Sequence, residues 1–264
     1  MTLNKKKIYF ISDVHLGLHP EEKSREREKL LVKWLDEIKD QASELYLLGD
    51  IFDFWHEYKH VVPKGFIRFL GKLAELTDNG TRLYFFSGNH DIWAYSYFKT
   101  EFGAEIHHKP LIREFNGARY YLAHGDGLGP GDPGYKLLKN IFRNKLSQFL
   151  FARLHPNFAL WLGKTWSKNS RYAKGIVAEE FAGEDKEQQL LFAKQMLKKE
   201  PVDVFIFGHR HIPYDIQLGD KSRVINLGDW IHSFTYGVLD NDGFELKQYQ
   251  GNGENIIRRK YKLS

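Results

Sequence analysis

Five times along this chain an apolar, strand-like run stops at a small residue and is followed at once by side chains able to bind a metal ion. Lys7–Ser12 leads into Asp13-Val14-His15, Glu44–Leu48 into Gly49-Asp50, and Arg82–Ser87 into Gly88-Asn89-His90-Asp91. Arg119–Ala123 leads into His124-Gly125-Asp126, and Val202–Phe207 into Gly208-His209-Arg210-His211. A sixth run, Arg223–Leu227, precedes Gly228-Asp229-Trp230. The aromatic and β-branched content of these runs, with glycine or polar residues directly after them, favours strands over helices. Between the early runs, Ser24–Asp40 and Lys64–Asn79 carry apolar residues at helical spacing, with Ser24 as the expected N-cap of the first and Gly80 as the stop of the second. Such alternation implies a largely parallel sheet with helices packed outside it. The carboxyl ends of parallel strands share one edge, where ligands bind, so the five groups are expected to converge on one rim.

Composition narrows the class. With 264 residues, 42% of them hydrophobic and 15% aromatic, the chain is long and apolar enough for a sizeable core and is not a disordered or low-complexity protein. It has no cysteine, which excludes disulfides and thiolate metal sites. No apolar run approaches the roughly 18 residues of a membrane-spanning helix, and the first residues lead straight into a strand without a secretory h-region; a cytoplasmic protein is expected. The net charge is +5, but Tyr135–Lys174 holds nine Lys and Arg residues and no Asp or Glu. The remainder is therefore mildly acidic. This basic segment breaks the strand–helix rhythm, and from 134 to 196 the sequence reads as a helical cap, in pieces divided near Pro156 and around Gly175 to Gly183, inserted in a single domain spanning 1–264. Asn241-Asp242-Gly243 marks a hairpin turn near the end.

The ligand inventory is Asp, His and Asn. Such donors suit Mn²⁺, Fe or Zn²⁺, with the hard oxygens pulling toward Mn²⁺. Two ions about 3.5–4 Å apart can clamp the attacking and leaving oxygens of a displacement at phosphorus. A pair of ions needs a bridging carboxylate, and Asp50, without a local partner ligand, is the natural candidate. Asn89 offers a neutral carbonyl oxygen, which limits charge where a phosphate approaches. The ordered set Asp-x-His, Gly-Asp, Gly-Asn-His-Asp, His-Gly and Gly-His-x-His, spanning Asp13 to His211, resembles the calcineurin-like metallophosphoesterase superfamily. The resemblance implies an α/β fold of two facing sheets flanked by helices, with the cap above the metal rim. It implies one ion on Asp13, His15, Asp50 and His211, and another on Asp50, Asn89, His124 and His209. His90 then matches the proton donor to the leaving group, a role suited to imidazole; an imidazole that only orients the phosphate is the plainer alternative. Asp91 is expected to fix His90.

Within the superfamily the chain is similar to the UDP-2,3-diacylglucosamine pyrophosphohydrolases of lipid A synthesis. That resemblance rests on His124-Gly125-Asp126, Asp132, Gly134-Tyr135, the insertion with Ser167 and Lys174, and Gly228-Asp229-Trp230. It implies hydrolysis to UMP and 2,3-diacylglucosamine 1-phosphate, with head-group contacts from Asp132, Ser167, Lys174 and the neighbouring Arg171, and acyl chains gripped by the insertion. The chain departs from that family at His90, where arginine is usual, and at Arg171, where asparagine is usual. The insertion's Phe149, Phe151, Leu154, Phe158, Leu160, Trp161 and Leu162, flanked by Arg153, Lys164 and Lys168, suit either an anionic membrane interface or an acyl-chain tunnel. A solvated basic face is the bland alternative. Nucleic acid is not expected, because the acidic remainder offers no extended basic track. A dinuclear phosphoesterase of another nucleotide or phosphodiester is the alternative activity.

Overall fold

The computed structural model describes residues 6–131, 133–174, 181–251 and 255–257. Two sheets face one another. The larger has the strand order β12-β11-β10-β1-β2-β3-β4, with β1 Lys7–Ile11, β2 Ala42–Leu48, β3 Arg82–Phe86, β4 Glu105–His107, β10 Thr235–Asp240, β11 Gly243–Tyr249 and β12 Asn255–Ile257. The smaller runs β5-β6-β7-β9-β8, with β5 Leu111–Phe115, β6 Ala118–Leu122, β7 Val204–Phe207, β8 Pro213–Leu218 and β9 Ser222–Leu227. All six sequence-predicted strands are present.

The parallel part of each sheet is smaller than strand–helix alternation implies. Strands β1 to β4 pair in parallel, as do β6, β7 and β9, but β10, β11 and β12 add antiparallel strands to one sheet, and β5 and β8 do so at the edges of the other. Short returns produce this. Asn241 and Asp242 alone join β10 to β11, where Asp240 pairs with Gly243, and a two-residue loop permits only an antiparallel neighbour.

Strand alternation divides the core. Phe10, Tyr46, Leu48 and Phe86 meet Leu122, Ile206, Ile225 and Leu227 between the sheets. On the outer face of the larger sheet, Tyr9, Ile11, Leu45 and Leu47 pack against α1 (Glu21–Ile38), α2 (Ile67–Asp78) and α3 (Tyr97–Phe102) through Trp34, Leu35, Phe69 and Phe98. Helix α1 begins three residues before the expected cap: Pro20 is the N-cap, and the Ser24 hydroxyl instead accepts from the backbone N–H of Gly17 at 2.7 Å. Glu28 of α1 reaches the start of α2, where Oε1 accepts from the N–H groups of Arg68 and Phe69 at 3.0 and 3.2 Å. It thereby satisfies donors that a helix start leaves without partners.

The helical stretch expected over 134–196 divides in two. Helix α7 (Gln188–Leu197) buries Leu190 and Ala193 on the outer face of the smaller sheet, against Phe205, Phe207 and Val224. The cap-like part comprises α4 (Pro133–Arg143), α5 (Lys145–Phe151) and α6 (Pro156–Lys174). Neither α4 nor α5 buries a residue, whereas α6 buries Ala159, Gly163 and Ser167, one turn apart on one face. Gly163 lies directly on the Phe54 ring, which a Cβ at that position would overlap.

His56 sits under this cap, between Tyr58, Trp93 and Phe151 of α5. Both its ring nitrogens are buried without a hydrogen-bond partner, and burial pushes its pKa from 6.5 down to about 4. The unfolded chain therefore binds the extra proton throughout that window. Stability is expected to fall as pH drops through it, by up to about 1.4 kcal/mol per pH unit. In denaturant titrations His56→Phe should lose this contribution, so that its stability gains on the parent chain as pH is lowered from about 7 to about 5.

Candidate metal centre and active site

The five ligand-bearing groups meet at the carboxyl ends of β1, β2, β3, β6 and β7, across the mouth between the two sheets. The backbone turns sharply there. Asp13, His15, Asp50, His209 and His211 all have positive φ, between 49° and 72°, a conformation that costs non-glycine residues about 1–3 kcal/mol each. The turns aim each side chain into the mouth instead of along the strand. Close approach explains two of the glycines: a Cβ on Gly88 would overlap the Asp50 carboxylate, and one on Gly208 would overlap that of Asp13.

Two clusters of the sequence-predicted ligands result, beside a third group among the described residues, His15, Asp53 and His90, that shares His15 with the first. In one, His211 Nε2 lies 3.3 Å from Asp13 Oδ1 and 3.2 Å from His15 Nε2. In the other, Asp50, His124 and His209 present ligand atoms within 4.8 Å of one another. Asp50 stands between them, its Oδ2 3.7 Å from His15 Nε2 and 3.4 Å from His124 Nε2. Asn89 Oδ1 is 3.3 Å from His124 Nε2, so its amide joins the second cluster. The sequence-predicted residues Asp13, His15, Asp50, Asn89, His124, His209 and His211 are thus brought together in one place.

These residues fit a pair of divalent cations. Asp13 Oδ1 is buried with no hydrogen-bond partner, and imidazole nitrogens and carboxylate oxygens point at one another across the clusters. Burial opposes ionisation of Asp50, but His124 and His90 outweigh it and hold the carboxyl well below the usual range. Burial likewise disfavours charge on His124, yet Asp50 raises it to about 10, and Asp13 raises His211 to about 10 against the same penalty. The mouth therefore attracts positive charge. The second ring nitrogen of several ligand candidates is also held. His124 Nδ1 is 2.8 Å from the Leu48 carbonyl, His15 Nδ1 3.5 Å from Asp53, and His211 Nδ1 3.5 Å from Asp229. Such partners fix tautomer and ring orientation. Asp229 is itself held by the N–H groups of His232 and Ser233 at 2.9 and 2.8 Å.

Sequence reasoning missed Asp53 and Asp229 in this role. Asp53 lies outside every short motif, and Asp229 stands in a segment whose chemistry is invisible until β9 is placed beside β7. Asp91 does not act as expected. Its carboxylate accepts from the N–H groups of Gly88 and Ile51 at 2.7 and 2.8 Å, clamping the loops after β2 and β3 together. The His90 ring is held elsewhere: Nδ1 lies 2.9 Å from the Asp53 carbonyl and 3.1 Å from Ser167 Oγ of α6, while Nε2 faces Asp50 Oδ2 at 3.9 Å.

Of the expected head-group contacts, Ser167 is therefore buried against His90, at 2% exposure. Asp132 and the side chains of Arg171 and Lys174 lie outside the described residues. Asp126, next but one to His124, accepts from Tyr135 and Lys139, both at 2.6 Å, and so ties α4 to the rim. Beside His124 a cavity of about 230 Å³ opens, lined in part by His108, Lys109, Lys139 and Arg143.

Fold and site together define a metal-dependent phosphoesterase. Residues 6–213 match the calcineurin-like phosphoesterase family, and the chain belongs to it. A UDP-2,3-diacylglucosamine hydrolase of Porphyromonas gingivalis is 38% identical over 258 residues, covering 93% of this chain and 98% of the relative. One from Ectopseudomonas mendocina is 30% identical over 92% of this chain and 98% of the relative. One from Histophilus somni is 27% identical over 91% and 99%.

Asp50 belongs to the second cluster and also faces His15 of the first. Asp50→Ala is expected to abolish turnover and to lower metal content at both sites by elemental analysis. Full retention of two ions would remove Asp50 from the bridging position.

Proposed function

We propose that this chain hydrolyses the pyrophosphate bond of UDP-2,3-diacylglucosamine, giving UMP and 2,3-diacylglucosamine 1-phosphate. The observation that carries this reading is the likeness to hydrolases of that name along nearly the whole of both chains. The apolar cap beside the site supports it.

In this reading Asp13, His15, Asp50 and His211 would hold one divalent ion and Asp50, Asn89, His124 and His209 the second, Mn²⁺ fitting the mixed oxygen and imidazole donors best. Bound ions supply charge neutralisation at the phosphoryl oxygens and a water acidic enough to attack phosphorus at neutral pH. The protein's own groups do the rest. Asp53, Asp229 and the Leu48 carbonyl keep the ligand imidazoles in register. Asn89 meets the phosphate without adding negative charge. His90, anchored through Nδ1–H, turns Nε2 toward the reacting group and, as the doubly protonated imidazolium, gives its Nε2 proton to the leaving oxygen. Lys109 and Arg143, beside His124 and without a carboxylate partner among the described residues, suit the phosphate side of the nucleotide.

The cap supplies the surface for the lipid. Phe149, Leu150, Phe158, Trp161 and Trp166 are exposed on α5 and α6, together with Arg153, Lys164 and Lys168. No described helix is long and apolar enough to cross a membrane. An amphipathic basic face of this kind suits adsorption to an anionic leaflet, from which a two-chain substrate would be drawn; the cytoplasmic face of the inner membrane is the proposed location.

The decisive assay is UMP release from UDP-2,3-diacylglucosamine by the Mn²⁺-loaded protein. UMP release is the expected result. Cleavage of an aryl phosphodiester without UMP release would keep the phosphoesterase and discard this substrate. A further expectation concerns the cap. Because Phe149, Phe158 and Trp161 are exposed, changing all three to Ser should leave the fold intact. It should raise KM for the diacylated substrate about tenfold or more, corresponding to about 1.4 kcal/mol of lost apolar contact. Turnover of a small phosphodiester should be unchanged.

A further inference from the structure

Ser167 belongs to the cap, yet its hydroxyl oxygen lies 3.1 Å from Nδ1 of His90, and the side chain is shut off from solvent. The same ring nitrogen lies 2.9 Å from the main-chain carbonyl of Asp53. A carbonyl can only accept, so Nδ1 carries a hydrogen in both the neutral and the doubly protonated ring, and the serine oxygen is placed as a second acceptor for it. With Nδ1 occupied in this way, Nε2 is the atom directed at the Asp50 side of the site.

The position of α6 makes this contact possible. Ala159, Gly163 and Ser167 recur every four residues and form the buried face of α6 among its described side chains. Small side chains along that face let the helix backbone come down onto the body. At its centre the Phe54 ring rests against Gly163. Phe54 follows Asp53, the residue whose carbonyl holds His90. One turn beyond Gly163, the helix delivers Ser167 to the same imidazole. Loop 53–54 and helix α6 thus seat each other and grip His90 from two sides.

We infer that Ser167 is a positioning residue for His90, and that α6 is through it part of the catalytic apparatus as well as a surface for lipid. This rests on the reading of His90 as the proton donor. A head-group contact, the role implied by resemblance, would instead place the serine hydroxyl on the substrate.

Phosphodiesters with no sugar and no acyl chain separate the two roles, because a head-group contact contributes nothing to their turnover. A pair differing only in leaving group, phenyl against p-nitrophenyl, adds a readout of proton donation, since the poorer leaving group needs it more. Ser167→Ala in the metal-loaded protein is expected to lower kcat about tenfold on the phenyl ester, with KM unchanged, and to lower it less on the p-nitrophenyl ester. Ser167→Thr, which keeps the hydroxyl, should restore most of the rate. In a His90→Ala background Ser167→Ala should cost nothing more, the signature of two residues acting as one unit. In the protein without substrate, the ¹⁵N signals of the His90 ring should move on Ser167→Ala and return with Thr.

Equal losses with and without His90, or a loss confined to KM for the diacylated substrate, would overturn the inference. If His90→Ala left phenyl-ester turnover unchanged, the proton-donor reading would fall instead. The ring ¹⁵N signals would then still decide whether the serine orients His90.

Discussion

Asp50 sets the terms for the rest of the molecule. Its carboxylate is buried at the meeting point of imidazoles brought from both sheets. An isolated ionised carboxylate in that place would be prohibitively costly. It persists because the residues around it form a compensated set, in which negative oxygens and imidazole nitrogens share the same few ångströms. Everything near the rim serves that compensation. The left-handed turns aim the side chains, Gly88 and Gly208 let them approach, and Asp91 straps the second and third loops together so that Asp50 and Asn89 keep their separation.

The cap answers to a different constraint. Helices α4 and α5 bury nothing of their own, so burial of an apolar face in the core does not hold them. Polar ties and a few aromatic contacts do so instead: Tyr135 and Lys139 on Asp126, the Trp93 indole N–H on the Phe142 carbonyl, and Phe151 against His56 and Trp93. Such an attachment leaves the outward aromatic surface of α5 exposed. Helix α6 is the exception, seated by small residues against the body.

Much of this was legible in the chain because each ligand group is local. Asp13 and His15, or His209 and His211, sit two residues apart at the end of a strand whose aromatic and β-branched content announces it, and the order of the groups carries the family resemblance. What escaped is non-local. Asp53 and Asp229 earn their roles only from the loops that face them, and nothing near them in sequence names His15 or His211. Ser24 looked like a cap because helix starts favour serine, but the pull of Gly17 across a tight turn decided its use. The antiparallel returns of β10 to β12 and the docking of α7 depend on which neighbour each strand and helix finds after collapse, and periodicity does not encode that choice.

The way β10 closes the larger sheet bears on how the protein is made. Strand β10 pairs with β1, the strand that carries Asp13, and the turn leading into β10 is held by Asp229, the partner of His211. The first cluster therefore joins positions far apart in the chain, His15 and His211 being 196 residues from one another. A nascent polypeptide leaving the ribosome can form β1 to β4 early, but it holds Asp13 and His15 without their companion until residues beyond 211 have emerged. The ligand candidates of that cluster and the carboxylate that orients His211 come together only where β10 and the turn at Asp229 join β1.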